Sequence, residues 1–404
     1  MTPDTPPESR PLKIAMFTEA YPPIVSGVAV ATRTLVEGLR TLGHQVDVYA
    51  PYHPDQPADE TGVTRLPAVP VPLPGWIPIS MPLTPMAFND IAAKSYDIAH
   101  TQHPFLLGTV ARALARRLDI PLVVTVHTQY EQYVHYWTPW HEPGRWIVRQ
   151  IIREFCNTCD QVVTVAAGME ALLREYGVTV GIEVIPNDVD SGDFLNASGE
   201  GVREELGLAP GETFILSVSR IASEKNLLFM LESVAPLLEA KNARLVFVGD
   251  GPQRAELERR ASDLGLNHRV AFAGKLPHEQ TARYYAAADL FLITSVTEVN
   301  PLTIGESLAA GTPVVAVDSF SAREGMVDGH DGLISALDTD AFRHAVATLL
   351  DDPAQRERMA ASARETARRR SSGSATERTD ALYAGLLGSG HHEENLGGNE
   401  ETKK

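Results

Sequence analysis

Cysteine is nearly missing from this sequence: among 404 residues only Cys156 and Cys159 occur. Two thiols build no disulfide framework, and a zinc site would need two further ligands that no neighbouring cluster supplies, so no metal is expected. A reducing cytoplasm is the natural setting. No apolar run reaches the ~18 residues of a membrane span, and the opening MTPDTPPESRPL lacks the basic start and apolar stretch of a secretory leader. The expectation is a soluble chain, or at most one peripheral on the inner face of the cell membrane. Positive charge is also in deficit: 35 Lys and Arg face 52 Asp and Glu, a net of −17. That balance argues against wholesale nucleic-acid binding while leaving room for a local basic patch.

Apolar residues are not scarce. At 44% hydrophobic, with 30 Gly and 28 Pro, the chain is too apolar to be disordered and too long for one compact core. Short β-rich runs alternate with helical patterns from the first structured residue, which implies an α/β class with parallel sheets and crossover helices. The first half offers strands at Lys13–Thr18, Gln45–Ala50, Asp97–His100, Leu122–Val126, Gln161–Val165 and Glu183–Ile185. The rhythm restarts at Phe214–Val218, Arg244–Val248, Val270–Ala273, Leu290–Thr294 and Pro313–Ala316. Between the halves, Asp188–Glu212 is rich in Gly, Ser, Asn and charge and reads as a connection carrying one short helix. Two doubly wound, Rossmann-like domains follow, with ligands expected beyond the carboxyl ends of the strands. Two segments break the rhythm: Pro67–Pro85, an extended loop with seven prolines, and the aromatic run Gln129–Pro143.

After the first strand, Ser26 and Gly27 open an amphipathic helix, where a small residue lets backbone N–H groups approach a phosphate. A plain tight turn would read the same way. After strand Phe214–Val218, the segment SRIASEKN places Arg220 and Lys225 five apart on a strand-to-helix loop. Two cations beside a helix start can hold a diphosphate and stabilise the charge that develops as it leaves. Further on, Glu298 and Glu306 stand with seven residues between them, and carboxylates so placed can accept hydrogen bonds from sugar and ribose hydroxyls.

These motifs, in this order, resemble the retaining family 4 glycosyltransferases of GT-B fold. The likeness runs through SGV near the amino end, VTVHT (124–128), IPNDVD (185–190), SRIASEKN (219–226), VGDGPQR (248–254) and the Glu298-to-Glu306 motif followed by AAGTPVVA. It implies two domains facing across a cleft and no cofactor or metal beyond a nucleotide-sugar donor. Residue by residue it implies that Arg220 and Lys225 bind the donor diphosphate, Glu306 the ribose and Glu298 the transferred sugar. Backbone near Asn300 and Leu302 would touch sugar or phosphate, Gly27 would face the diphosphate, Lys275 and Leu276 would lie near the base, and His127 beside the reacting carbon. The implied domains are 13–190 for the acceptor, a linker at 191–212, and 213–365 for the nucleotide sugar. A helix at 366–387 is placed to pack back on the first domain, with disordered ends at 1–12 and 388–404. The family's front-face route uses no protein nucleophile. The pair Asp188 and Asp190 lies at the hinge and is read as no metal site.

Within that family, HTQYEQYVHYW (127–137) is similar to a run in bacterial diacylglycerol glucosyltransferases. It implies UDP-glucose as donor and a lipid acceptor; GDP-mannose with a phosphatidylinositol-like or soluble acceptor is the alternative, and a silent nucleotide-sugar-binding module a third. Three positions depart from the family's pattern: Asp188, Pro301 and the loop DSFSAREGMVDG at 318–329. All four tryptophans, Trp76, Trp137, Trp140 and Trp146, fall in the first half. Arg145, Arg149 and Arg153 share one helical face there, with Trp146, Ile147, Ile151 and Phe155 as apolar partners. Such a helix lies either on an anionic membrane or on its own sheet.

Overall fold

The computed structural model describes residues 10–24, 26–70, 78–81, 83–136, 140–187, 191–299, 302–370 and 375–388. Of the ends expected to be disordered at 1–12 and 388–404, residues 1–9 and 389–404 lie outside the described residues, as do Asp188 and Asp190, whereas Leu12 is buried and Gly388 closes a helix. The first half contributes β1 (Lys13–Phe17), β2 (Gln45–Pro51), β3 (Val63–Leu66), β4 (Ala68–Pro70), β5 (Pro78–Ser80), β6 (Ile98–Thr101), β7 (Leu122–Val126), β8 (Gln161–Thr164) and β9 (Ile182–Val184). The second contributes β10 (Thr213–Val218), β11 (Ala243–Val248), β12 (Val270–Gly274), β13 (Leu290–Ile293), β14 (Val314–Val317) and β15 (Gly332–Ser335). Two parallel sheets result, ordered β3-β2-β1-β6-β7-β8-β9 and β12-β11-β10-β13-β14-β15. Each reverses direction once, at β1/β6 and at β10/β13, and such switch points open the crevices where ligands bind.

The central strands are apolar along their whole length because helices cover both faces. In β7 every residue is buried, and the same holds for β14. Alternate side chains then fall into separate cores: Ala15, Phe17, Val124 and Val126 on one face of the first sheet, and Ile14, Met16, Ile98 and Val123 on the other. Two strands escape the sequence pattern, β3 and β15. Both are four-residue edge strands, with one neighbour apiece and correspondingly little apolar signal. The proline-rich segment stays out of the central sheet, as its missing N–H donors require, but β4 and β5 pair as an antiparallel ribbon. The connection after residue 190 carries two short helices, Ser191–Leu195 and Val202–Glu205, in place of one. Phe194 and Val202 bury themselves in the second domain's core, which is why the segment folds rather than dangles.

Among the described residues, several contacts tie the halves together. Val299, beside Glu298, enters the first domain's core. The Glu324 carboxylate accepts the N–H groups of Ala167 (3.0 Å) and Gly168 (2.8 Å), at the start of helix Ala167–Glu175, which has no side-chain cap of its own. Phe320 lies so close that a side chain at Gly168 would overlap its ring.

Of the helix expected at 366–387, residues 366–370 belong instead to helix Pro353–Arg370, and helix Ala375–Gly388 returns to the first half. Its Leu382 and Tyr383 join Val36, Leu39 and Ile14 in one core, and the Tyr383 hydroxyl meets His100 Nδ1 at 2.6 Å. Removing so large and fully buried a side chain leaves a cavity, so Tyr383→Ala should lower the unfolding free energy by about 3–5 kcal/mol, read as a fall in the urea midpoint. An unchanged midpoint would show that this helix contributes nothing to the first core.

Candidate active site

In the second half the site is built by backbone. The loop after β11 presses Gly249 and Gly251 against the loop after β10: a side-chain carbon at Gly249 would lie 1.9 Å from the Ser219 carbonyl oxygen, and one at Gly251 2.3 Å from that of Ile221. Hydrogen bonds lock the two together, from Ser219 N to Val248 O (3.0 Å), Ile221 N to Asp250 O (3.0 Å) and Gln253 N to Ile221 O (3.1 Å). Gly249 N also bonds the Gly274 carbonyl (2.8 Å), which anchors the loop bearing Lys275 and Leu276. From the other side, Thr294 Oγ1 donates to Lys225 O (2.8 Å) and Ser295 Oγ to Glu224 O (3.1 Å). Asn226 takes the left-handed conformation, φ 53°, that an Asn tolerates, and starts helix Leu227–Ala240.

Held this way, Arg220 pairs with the buried Glu224, and the Lys225 ammonium meets the Glu298 carboxylate. Glu306 lies one turn into helix Leu302–Ala310, whose first N–H groups have no intrahelical partner. Burial pushes its carboxyl up to about 7, while the Tyr285 phenol beside it pulls the other way.

The first half is built by side chains. Buried His100, Gln102, His103, Thr125 and His127 gather at the ends of β6 and β7. His127 Nε2 lies 2.7 Å from Gln102 Oε1, and His100 Nε2 lies 2.7 Å from Thr125 Oγ1. Burial drives the imidazoles down, His127 to about 4 and His100 and His103 to about 3, the latter two also through His127. All three are neutral at pH 7. Glu19, after β1, accepts from Leu107 N (2.8 Å) and Ser80 Oγ (2.7 Å), so it caps helix Leu106–Leu118 and ties down the ribbon. Burial raises its carboxyl.

Residues 25–192 match the family model described as Glycosyltransferase Family 4, and residues 200–366 that described as Glycosyl transferases group 1. An alpha-monoglucosyldiacylglycerol synthase of Streptococcus pneumoniae is 35% identical over 319 residues, 76% of this chain and 71% of that one. The chain is a family 4 glycosyltransferase. A GDP-mannose-dependent alpha-mannosyltransferase of Corynebacterium glutamicum is 29% identical over 366 residues, 87% of this chain and 84% of that one. A solved sucrose-phosphate synthase from Thermosynechococcus elongatus superposes with a TM-score of 0.79 at 23% identity, over 94% of this chain and all of that one, and shows the same GT-B fold.

The glycosyltransferase brings Arg220, Lys225 and Glu298 together at the β10/β13 switch point. Lys275 is exposed and Leu276 half-buried after β12, while Leu302 and Glu306 are buried on the helix that follows Glu298. Asn300 lies outside the described residues. Gly27 is exposed at the start of helix Gly27–Thr41, whose cap is Ser26 Oγ accepting from Ala29 N (3.1 Å). Among the described residues beyond its own turn, nothing lies within 4 Å of where a side chain at Gly27 would sit, so the packing there does not demand a glycine. His127 stands at the other switch-point domain, beside Gln102.

Sequence reasoning passed over Glu224 and Gln102. Each follows a strand end, Glu224 immediately before Lys225 and Gln102 inside IAHTQHP, and that position was the available signal. The helix His141–Cys156 packs one face on its own domain and leaves another exposed. Ile152, Phe155 and Cys156 are buried in the core, so Phe155 belongs to the inner face. Trp140, Trp146, Ile147 and Ile151 stay exposed. The arginines are engaged locally: Arg145 with Glu142, Arg149 over the Tyr176 ring and Arg153 with Glu154. Trp76 and Trp137 lie outside the described residues. Both cysteines are buried, with the Cys156 thiol pushed up to about 12, which makes them core residues and not nucleophiles.

The neutral histidines fix the sign of the acid response. Each has a native value below the 6.5 of free imidazole, so it takes up a proton on unfolding, and stability present above pH 6.5 is lost as pH falls toward 4. The limit is ~1.4 kcal/mol per histidine per pH unit. Glu306 and Glu19, raised natively, act in the opposite sense and reduce the fall. The urea midpoint should therefore fall between pH 7 and 5.5, and a midpoint that holds or rises would contradict the burial of these imidazoles.

Proposed function

We propose that this glycosyltransferase moves a hexose from a nucleotide sugar, UDP-glucose, to the hydroxyl of a diacylglycerol-type lipid at a membrane surface, with retention and without a metal. The observation that carries the reading is the convergence of Arg220, Lys225 and Glu298 at one switch point, with the Val299 side chain beside them seated in the other domain. Two cations and a helix start there match the charge of a departing diphosphate. Donor binding draws Lys225 from Glu298 to phosphate and leaves that carboxylate to accept hydroxyls of the sugar.

Retention by double displacement would need a carboxylate nucleophile near His127. Glu19 has both oxygens engaged, by Leu107 and Ser80. Glu131, four residues after His127, faces Tyr176, whose phenol it raises together with burial. Glu19 is held by its partners in a structural role, which favours a front-face route in which the diphosphate itself takes the acceptor proton.

The similarity to the monoglucosyldiacylglycerol synthase supports glucose and a glycerolipid. Among the described residues no helix is long and apolar enough to cross a membrane. The outward stripe of Trp140 (71% exposed), Trp146 (63%), Ile147 (50%) and Ile151 (42%) instead supports contact with a lipid surface.

The test supplies purified protein with radiolabelled UDP-glucose or GDP-mannose, with and without liposomes containing diacylglycerol and anionic phospholipid. Expected is an α-glucosyl lipid formed from UDP-glucose, undiminished by EDTA. Transfer only to soluble acceptors would overturn the lipid reading, and preference for GDP-mannose would favour the activity named for the Corynebacterium relative. Lys225→Ala should cut turnover by about 10²–10³-fold with the unfolding midpoint preserved. Ile147→Ser with Ile151→Ser should lower vesicle co-sedimentation and lipid glucosylation together, leaving UDP affinity unchanged.

A further inference from the structure

His127 is oriented by a hydrogen-bond chain that reaches across three strands to the last helix. The Gln102 amide sits at its centre: Nε2 lies 3.0 Å from Met16 Sδ and 3.3 Å from His100 Nε2, and Oε1 lies 2.7 Å from His127 Nε2. Only one orientation of that amide is favourable. Turned over, its carbonyl oxygen would face the thioether sulfur at 3.0 Å, two lone-pair atoms with no hydrogen between them. The strand register makes the placement firm, since Met16 and His100 are direct neighbours across β1 and β6.

With its NH₂ directed at Met16 and His100, Gln102 presents to His127 an oxygen that can only accept. His127 must then carry its proton on Nε2. His100 Nε2 receives both the Gln102 amide and the Thr125 hydroxyl at 2.7 Å, so His100 holds its proton on Nδ1 and donates it to the Tyr383 hydroxyl at 2.6 Å. The Gln102 NH₂, the Thr125 hydroxyl, His100 Nδ1–H and His127 Nε2–H thus each find an acceptor. What remains is His127 Nδ1, buried and without a hydrogen-bond partner among the described residues. Buried polar atoms are seldom left unpaired, and an orphan at the end of a satisfied network points to a ligand.

We propose that Gln102 is a positioning residue that holds His127 in its Nε2–H tautomer, making Nδ1 an acceptor that selects a hydroxyl of the bound substrate. The inference rests on the glycosyltransferase reading of this cleft and deepens it. A hydroxyl can donate to Nδ1, whereas a phosphate or carboxylate oxygen would meet it lone pair to lone pair. His127 therefore belongs to the sugar or the alcohol being glycosylated, and the anionic part of the donor belongs to the other domain.

The test is nitrogen-resolved NMR of the imidazoles in the full chain at neutral pH, assigned with His127→Gln and His100→Gln. Expected is a protonated Nε2 and bare Nδ1 for His127, with the Nδ1 resonance shifted by UDP-glucose and not by UDP alone. In Gln102→Met the tautomer should become mixed and kcat should fall about 10- to 100-fold, the range that outer hydrogen-bond partners command, with the KM for UDP-glucose little changed. A purely structural role for Gln102 would instead lower the unfolding midpoint of Gln102→Met and leave the His127 tautomer single. A proton found on Nδ1 in the wild-type chain overturns the proposal, as does full turnover by Gln102→Met with a mixed tautomer. Failure of the transferase reading would look different, with the tautomers as stated and no turnover of any nucleotide sugar by the wild-type protein.

Discussion

The second domain depends on one steric constraint: no side chain fits between the loop after β11 and the carbonyls of Ser219 and Ile221. Gly249 and Gly251 satisfy it, and the backbone hydrogen bonds that follow leave the loop bearing Arg220 and Lys225 no other course. The backbone that carries the two cations is thereby fixed, while their side chains end in ion pairs. Glu224 and Glu298 then hold them by their heads, while Thr294 and Ser295 hold the same loop from the opposite strand.

The first domain solves the same problem in another way. Its strand-end residues are set by side-chain bonds among buried imidazoles, an amide and hydroxyls, a network worth keeping only if each member is satisfied. Glu19 extends the arrangement outward by capping one helix and holding the proline-rich ribbon. A rigid charged surface thus faces a neutral, hydrogen-bonding one. The division suits a donor with a diphosphate at one end and a sugar at the other.

Much of this was legible in the chain itself. Strands such as LVVTV and VVAV announce themselves because burial on both faces leaves no polar alternation, and the residues that follow them include Arg220, Lys225, Glu298 and His127. The edge strands β3 and β15 were not, since a four-residue strand with one neighbour needs little apolar content. Gln102 and Glu224 were hidden for a different reason. A polar side chain acquires its role from partners on other strands and loops, here Met16, His100 and Arg220, and local sequence carries no trace of that pairing. The helix His141–Cys156 shows the limit of periodicity: the apolar residues were correctly found, but only the fold separates Phe155, which packs inward, from Ile147 and Ile151, which do not.

The return of helix Ala375–Gly388 to the first domain sets an order on assembly. Leu382 and Tyr383 complete a core whose other members, Ile14, Val36 and Leu39, emerge from the ribosome more than three hundred residues earlier. Domains generally fold as synthesis proceeds, amino-terminal part first. Here the half made first is the half sealed last, so during translation it waits with an apolar face open until the entire second half has been made. A nascent chain of this protein therefore has its longest exposure to aggregation, and its greatest use for a chaperone, at the surface that the finished molecule hides beneath its final turns.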